Sequence, residues 1–142
     1  MNTRLHFQPI QGKTVDIIEA ILQTEEAVST GDELNVIRLV AEELVVNIVD
    51  YAESDYLDVE IIRDEESITL RFRDGGIPFN PLANELPDIT LPLEQRRIGG
   101  LGIFLVINKM DAVEYEYTDG ENVLTVSKKI GLPQAPVKSS IK

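Results

Sequence analysis

Between residues 57 and 73, Leu57, Val59 and Ile61, and then Ile68, Leu70 and Phe72, alternate with polar or charged residues, and the acidic run Asp64-Glu65-Glu66 separates the two stretches. Successive side chains of a strand point to opposite faces, so this pattern predicts an antiparallel hairpin with one apolar face. Val113 to Tyr117 and Val123 to Lys129 form a second such pair, joined through Asp119-Gly120. That dipeptide is a strong hairpin signal because the tight turn needs positive φ. Two hairpins of this kind call for helices to cover the apolar face.

The remaining segments supply them. Arg4 to Ile10 fits a short strand, and Val15 to Val28 has Ile17, Ile18, Ile21 and Leu22 at helical spacing, which predicts one helix ending near Gly31. Asp32 is the candidate N-cap of a longer helix running to about Ala52, with Glu33 in the first turn, where the helix dipole favours negative charge. Asn80 to Ile98 carries Pro81, Pro87 and Pro92 and reads as a loop, followed by a glycine turn and an apolar helix from about Leu101 to Met110. A connection of roughly 20 residues is long for a compact domain and points to a functional lid or a disordered segment. This order of elements, without repeats, predicts one α+β domain over residues 1–132, a largely antiparallel sheet with helices on one face, and a polar tail over residues 133–142.

Composition narrows the chemistry. With no cysteine, disulfide frameworks, thiol catalysis and Cys-based metal sites are excluded. No apolar run approaches the roughly 20 residues that span a bilayer, and the N-terminus lacks the basic-then-apolar order of a signal peptide, so a cytoplasmic location is expected. The formal net charge of -12 disfavours direct contact with nucleic acid or an anionic membrane. A small molecule or a protein is the expected partner. Any phosphate must be met locally, where backbone amides, a metal and a few cations reverse the sign.

Glu43 falls on the same arc of the longer helix as Val36, Leu39, Val40 and Val46, with Asn47 and Asp50 on either side. A carboxylate on an apolar face has its pKa pushed up by burial, which suits a general base. Asn47, four residues on, stands about 5–6 Å away at Cβ and can offer a neutral oxygen to Mg²⁺ while Glu43 faces an attacking hydroxyl or water. A core helix with a satisfied polar pair fits the same pattern. Asp74 ends the second alternating run just before Gly75-Gly76. A carboxylate only accepts hydrogen bonds, so it would pair with the exocyclic amine of adenine and repel the carbonyl of guanine, with Gly76 leaving room for a planar ligand. An ordinary Asp-Gly-Gly turn is the other reading.

Arg97-Ile98-Gly99-Gly100-Leu101-Gly102 opens the last helix, where backbone N–H groups can converge on phosphate oxygens, and Arg96 and Arg97 are candidate γ-phosphate contacts. These glycines also suit a plain loop. They complete neither G-x-G-x-x-G nor G-x-x-x-x-G-K-[ST], which disfavours a Rossmann or P-loop site. His6, the single histidine, has no triad or metal partners in the pattern and reads as structural or solvated.

Glu-x-x-x-Asn on a helix, Asp-x-Gly after a strand and Gly-x-Gly before a helix, in that order, form a constellation more specific than any one of them. It resembles the GHKL ATPase fold of gyrase, MutL and histidine kinases. Glu43-Leu44-Val45-Val46-Asn47, Asp74 to Pro81 and Gly99 to Val106 resemble the bacterial anti-sigma factor serine/threonine kinases, and the similarity continues through Met110 to Tyr115 and Asn122-Val123-Leu124. The resemblance implies a two-layer α+β sandwich of the Bergerat type that binds ATP and Mg²⁺. It further implies that Glu43 is the base toward a serine of a small anti-anti-sigma (STAS-type) partner, that Asn47 holds Mg²⁺ and that Asp74 reads adenine. Gly76, Arg97, Gly99, Gly100, Leu101 and Gly102 would complete the nucleotide site. A homodimer that also binds a sigma factor, in a partner-switching pathway, is the implied assembly; a non-catalytic ATP-binding module whose lid switches partner affinity is the alternative. The chain departs from many members of that family in having Tyr51 where they carry His, and in having no Arg or Lys between Val15 and Val28.

Overall fold

The structure is a computed structural model that describes residues 1–9, 11–83 and 100–131. Its strands are β1 (Asn2–Phe7), β2 (Leu57–Arg63), β3 (Ser67–Asp74), β4 (Ala112–Thr118) and β5 (Glu121–Lys129), and its helices are α1 (Thr14–Leu22), α2 (Glu25–Val28), α3 (Leu34–Asn47) and α4 (Gly100–Lys109). The strands form a five-stranded sheet in the order β1-β2-β3-β5-β4, with every neighbouring pair antiparallel. Both expected hairpins are present, and Asp119 and Gly120 take φ of 55° and 78° in the turn between β4 and β5. β1 starts at Asn2, two residues before the expected Arg4, and ends at Phe7 rather than Ile10, which lies outside the described residues.

One face of the sheet is apolar and the helices lie on it. Val59, Ile61, Leu70, Phe72 and Val126 pack against Ile17 and Ile21 of α1, Ile37, Val40 and Leu44 of α3 and Val106 of α4, all of them nearly inaccessible to water. The opposite face carries cross-strand charge pairs, in which Glu60 accepts from Arg4 at 3.5 Å and from Arg71 at 3.2 Å. Arg4–Glu60 is exposed and Arg71–Glu60 part-buried, and surface pairs of this kind add about 1 kcal/mol or less each, so the buried face holds the fold together. The two-layer α+β arrangement is the one the sequence predicts. Among the described residues no helix is long and apolar enough to cross a membrane.

Two helix expectations are corrected. The segment Val15 to Val28 is two helices, because Thr24 takes an extended conformation, donates its hydroxyl to the Ile21 carbonyl at 2.8 Å and accepts from the Ala27 N–H at 3.2 Å. A side-chain cap thus replaces the backbone ladder at that point. Asp32 is not the N-cap of α3. It sits in a 3-10 turn, Gly31–Glu33, opened by Gly31 at φ 62°, and the Leu34 N–H bonds back to the Gly31 carbonyl, so α3 starts without a side-chain cap. The helix does run on toward Ala52, but as a wider π-helical turn over Ile48–Ala52, ended by Glu53 at φ 56°.

Candidate nucleotide site

The wide turn after α3 brings the Ala52 carbonyl against the turn that follows β3. It accepts the Ile77 N–H at 3.0 Å, and a Cβ on Gly76 would lie 1.8 Å from its oxygen. No side chain fits there. At Gly75 a Cβ would come within 2.7 Å of the Tyr56 ring. The room these glycines leave is therefore taken up by the chain itself, which clamps the β3 turn to the end of α3.

Between these elements lies a cleft bounded by Leu44, Asn47, Ile48 and Ala52 from the α3 side, Phe72, Asp74, Phe79 and Pro81 from β3 and its turn, and Tyr115, Asn122 and Leu124 from the last hairpin. Asn47 and Asp74, far apart in sequence, both line it, with side chains on residues only 9% and 3% exposed. Asp74 Oδ1 accepts from the Gly76 N–H at 2.9 Å and from Asn122 Nδ2 at 3.0 Å. Among the described residues, Asp74 Oδ2 and the Asn47 carboxamide have no hydrogen-bond partner. Buried polar atoms normally find one, which marks these two as the polar groups of the cleft that no described residue satisfies.

Glu43 stands one turn before Asn47 on α3, half-buried, and is not a cleft-lining residue. Burial, and then the neighbouring charge of Glu42, push its carboxyl pKa up. Tyr51 packs its ring against Phe79 at the turn, with centroids 6.2 Å apart. α4 begins at Gly100, so part of the glycine turn does form a helix start, while Arg96, Arg97 and Gly99 lie outside the described residues, as do the side-chain positions around Leu101 and Gly102. His6 pairs with Asp58 and stacks on Tyr56 at the solvent edge, consistent with a structural role. Tyr56 donates to Glu121, which pushes its hydroxyl up to about 12.

Reading from sequence missed Asn122 and Tyr115 as parts of this cleft. The signal was available for Asn122, which shares the inward face of β5 with Leu124 and Val126 and is a polar residue at a core position. Tyr115 gave none, since an aromatic residue at an inward position of a strand reads as core.

A profile of the histidine kinase-like ATPase domain matches residues 12–128 of the chain. The chain belongs to that family. The match takes in Glu43, Asn47, Asp74 and the glycine turn before α4, and the antiparallel sheet with helices on one face is the fold the family reading of the sequence required. This ATPase-family chain is also similar to the serine-protein kinase RsbW of Listeria monocytogenes, with 29% identity over 96 residues, covering 62% of this chain and 61% of that kinase. The alignment thus spans about three-fifths of the relative's length.

Proposed function

We propose that this histidine kinase-like ATPase domain, residues 1–132, is a cytoplasmic serine/threonine protein kinase of anti-sigma type that uses ATP and Mg²⁺ to phosphorylate a small anti-anti-sigma protein. The observation that carries the reading is the convergence of Asn47 and Asp74 in one cleft, each with polar atoms that no described residue satisfies. These groups fit a nucleotide. Asp74 Oδ2 would accept from the amine of adenine, and Gly76 keeps the β3 turn seated behind it. Asn47 offers a neutral amide oxygen, which fits a metal that is held mainly by phosphates and water. Mg²⁺ would neutralise charge on the transferred phosphoryl group.

Glu43 carries the proton chemistry in this reading. Its raised pKa, caused by burial and Glu42, makes it a better base toward a serine hydroxyl than an ordinary surface glutamate. Arg97, Gly99, Gly100, Leu101 and Gly102 are proposed phosphate contacts around the start of α4. The similarity to a serine-protein kinase supports transfer to protein. A homodimer, and a sigma factor as second partner, complete the proposal. Incubation with labelled ATP, Mg²⁺ and a cognate anti-anti-sigma protein should label a serine of that protein, and Glu43→Gln should lower the rate at least about 100-fold while leaving ATP bound. Undiminished transfer by Glu43→Gln would remove it as the base. A non-catalytic switch gains weight from the position of Glu43 outside the cleft lining; it requires wild-type protein that binds ATP and changes partner affinity without labelling the partner.

A further inference from the structure

Asn122 opens the inward face of β5 ahead of Leu124 and Val126, yet it is a carboxamide and only 5% exposed. Its whole hydrogen-bonding capacity is used. Nδ2 donates to Asp74 Oδ1 at 3.0 Å and to the Ile77 carbonyl at 2.8 Å, while Oδ1 accepts from the Phe79 N–H at 2.9 Å and from the Tyr115 hydroxyl. The partners fix the orientation of the amide, because a carboxylate and a carbonyl can only accept and a backbone N–H can only donate.

The consequence falls on Asp74. Asn122 Nδ2 and the Gly76 N–H together occupy Oδ1, which leaves Oδ2 as the acceptor that no described residue uses. Two donors on one oxygen also restrain rotation of the carboxylate. The same amide grips Ile77 and Phe79, so the carboxylate and the turn bordering the cleft are fixed to one another through a single side chain. A residue needed merely to fill the core would be apolar, as Leu124 and Val126 are on the same face.

We propose that Asn122 is a positioning residue for nucleobase specificity: it holds Asp74 so that Oδ2 alone is offered to the 6-amino group of adenine. The inference rests on the reading of Asp74 as the adenine contact. All four hydrogen bonds of Asn122 go to protein groups, so the proposed role is a coupling between Asn122 and the amino group through Asp74, and a cycle in which each is removed measures it.

The experiment is calorimetric titration of the full chain, in Mg²⁺, with ATP and with the triphosphate of purine riboside, which lacks the 6-amino group. Wild type, Asn122→Leu and Asn122→Ser are compared, with Asn122→Ser carrying the cycle should the Leu variant not fold. Wild type should favour ATP by roughly tenfold or more, the scale of one hydrogen bond to a charged group. In the variants that preference should shrink to less than about threefold, because ATP weakens while the analogue hardly changes. Variants that keep the full preference, even with lower overall affinity, would reduce Asn122 to a clip for the turn and overturn the inference alone. A wild type indifferent to the amino group would overturn the reading of Asp74 and the inference with it.

Discussion

Glu43 and Asp74 are carboxylates with different hydrogen-bonding surroundings. Asp74 is the more buried but is bonded twice through one oxygen, whereas Glu43 has no hydrogen-bond partner among the described residues and a second acid, Glu42, beside it. A raised folded-state pKa means that the folded chain binds more protons at Glu43 than the unfolded chain does. Its contribution to stability therefore falls as pH rises from the ordinary glutamate range through the raised value. Glu43→Gln should accordingly be as stable as wild type or more so at neutral pH, with that advantage disappearing under acid conditions below the ordinary range. Urea unfolding at the two pH values checks this, and a variant destabilised only at neutral pH would contradict it. Such residues were legible in the sequence because they interrupt an apolar period, which is how Glu43 and Asn47 stand out on α3. Asn122 interrupts the period of β5 in the same way, but the functions of its four contacts depend on Asp74, Ile77, Phe79 and Tyr115 meeting in space.

The helices and strands follow from local patterns more completely than their ends do. Period-2 alternation and Asp119-Gly120 predict both hairpins, since these signals are local. The division between α1 and α2 escapes a periodicity argument because apolar residues keep helical spacing across Thr24, while the cap that breaks the helix is a matter of two hydrogen bonds. Thr24→Ala should cost about 1 kcal/mol in a denaturant titration, the usual worth of such a cap; no loss would mean that packing alone divides the helices. The contact of the α3 end with the β3 turn joins Ala52 to Gly76 and Ile77, a pairing no sequence window contains. Because backbone atoms lie on both sides, Gly76→Ala cannot be absorbed by a rotamer change. It should cost roughly 3 kcal/mol or more and lower ATP affinity by loosening the turn behind Asp74. A variant as stable as wild type would show that this contact yields more easily than packed backbone should.

At the scale of the whole molecule, the sheet separates two tasks: its inner face builds the core, and the ends of β3 and β5 deliver Asp74 and Asn122 to a cleft beside α3. The outer face is charged, and its ion pairs are largely exposed, as is Arg38–Glu19 at 2.8 Å with both side chains about two-fifths accessible. Against the net charge of -12, these pairs count for less than the general repulsion. Raising salt from about 0.01 M to about 0.15 M shortens the screening length from about 30 Å to about 8 Å and should raise the Tm. A fall would mean that the specific pairs dominate. In the proposed function, that same excess of acid is what Mg²⁺ and backbone amides would have to offset at a triphosphate. Adenine selectivity of the proposed site is read from titrations of the full chain with ATP and GTP, each with and without Mg²⁺, in wild type and Asp74→Asn. Wild type should bind Mg-ATP at least about tenfold more tightly than Mg-GTP, omitting Mg²⁺ should weaken ATP, and Asp74→Asn should lose the preference. Equal affinity for the two nucleotides in wild type, or an unchanged preference in Asp74→Asn, would contradict the proposal.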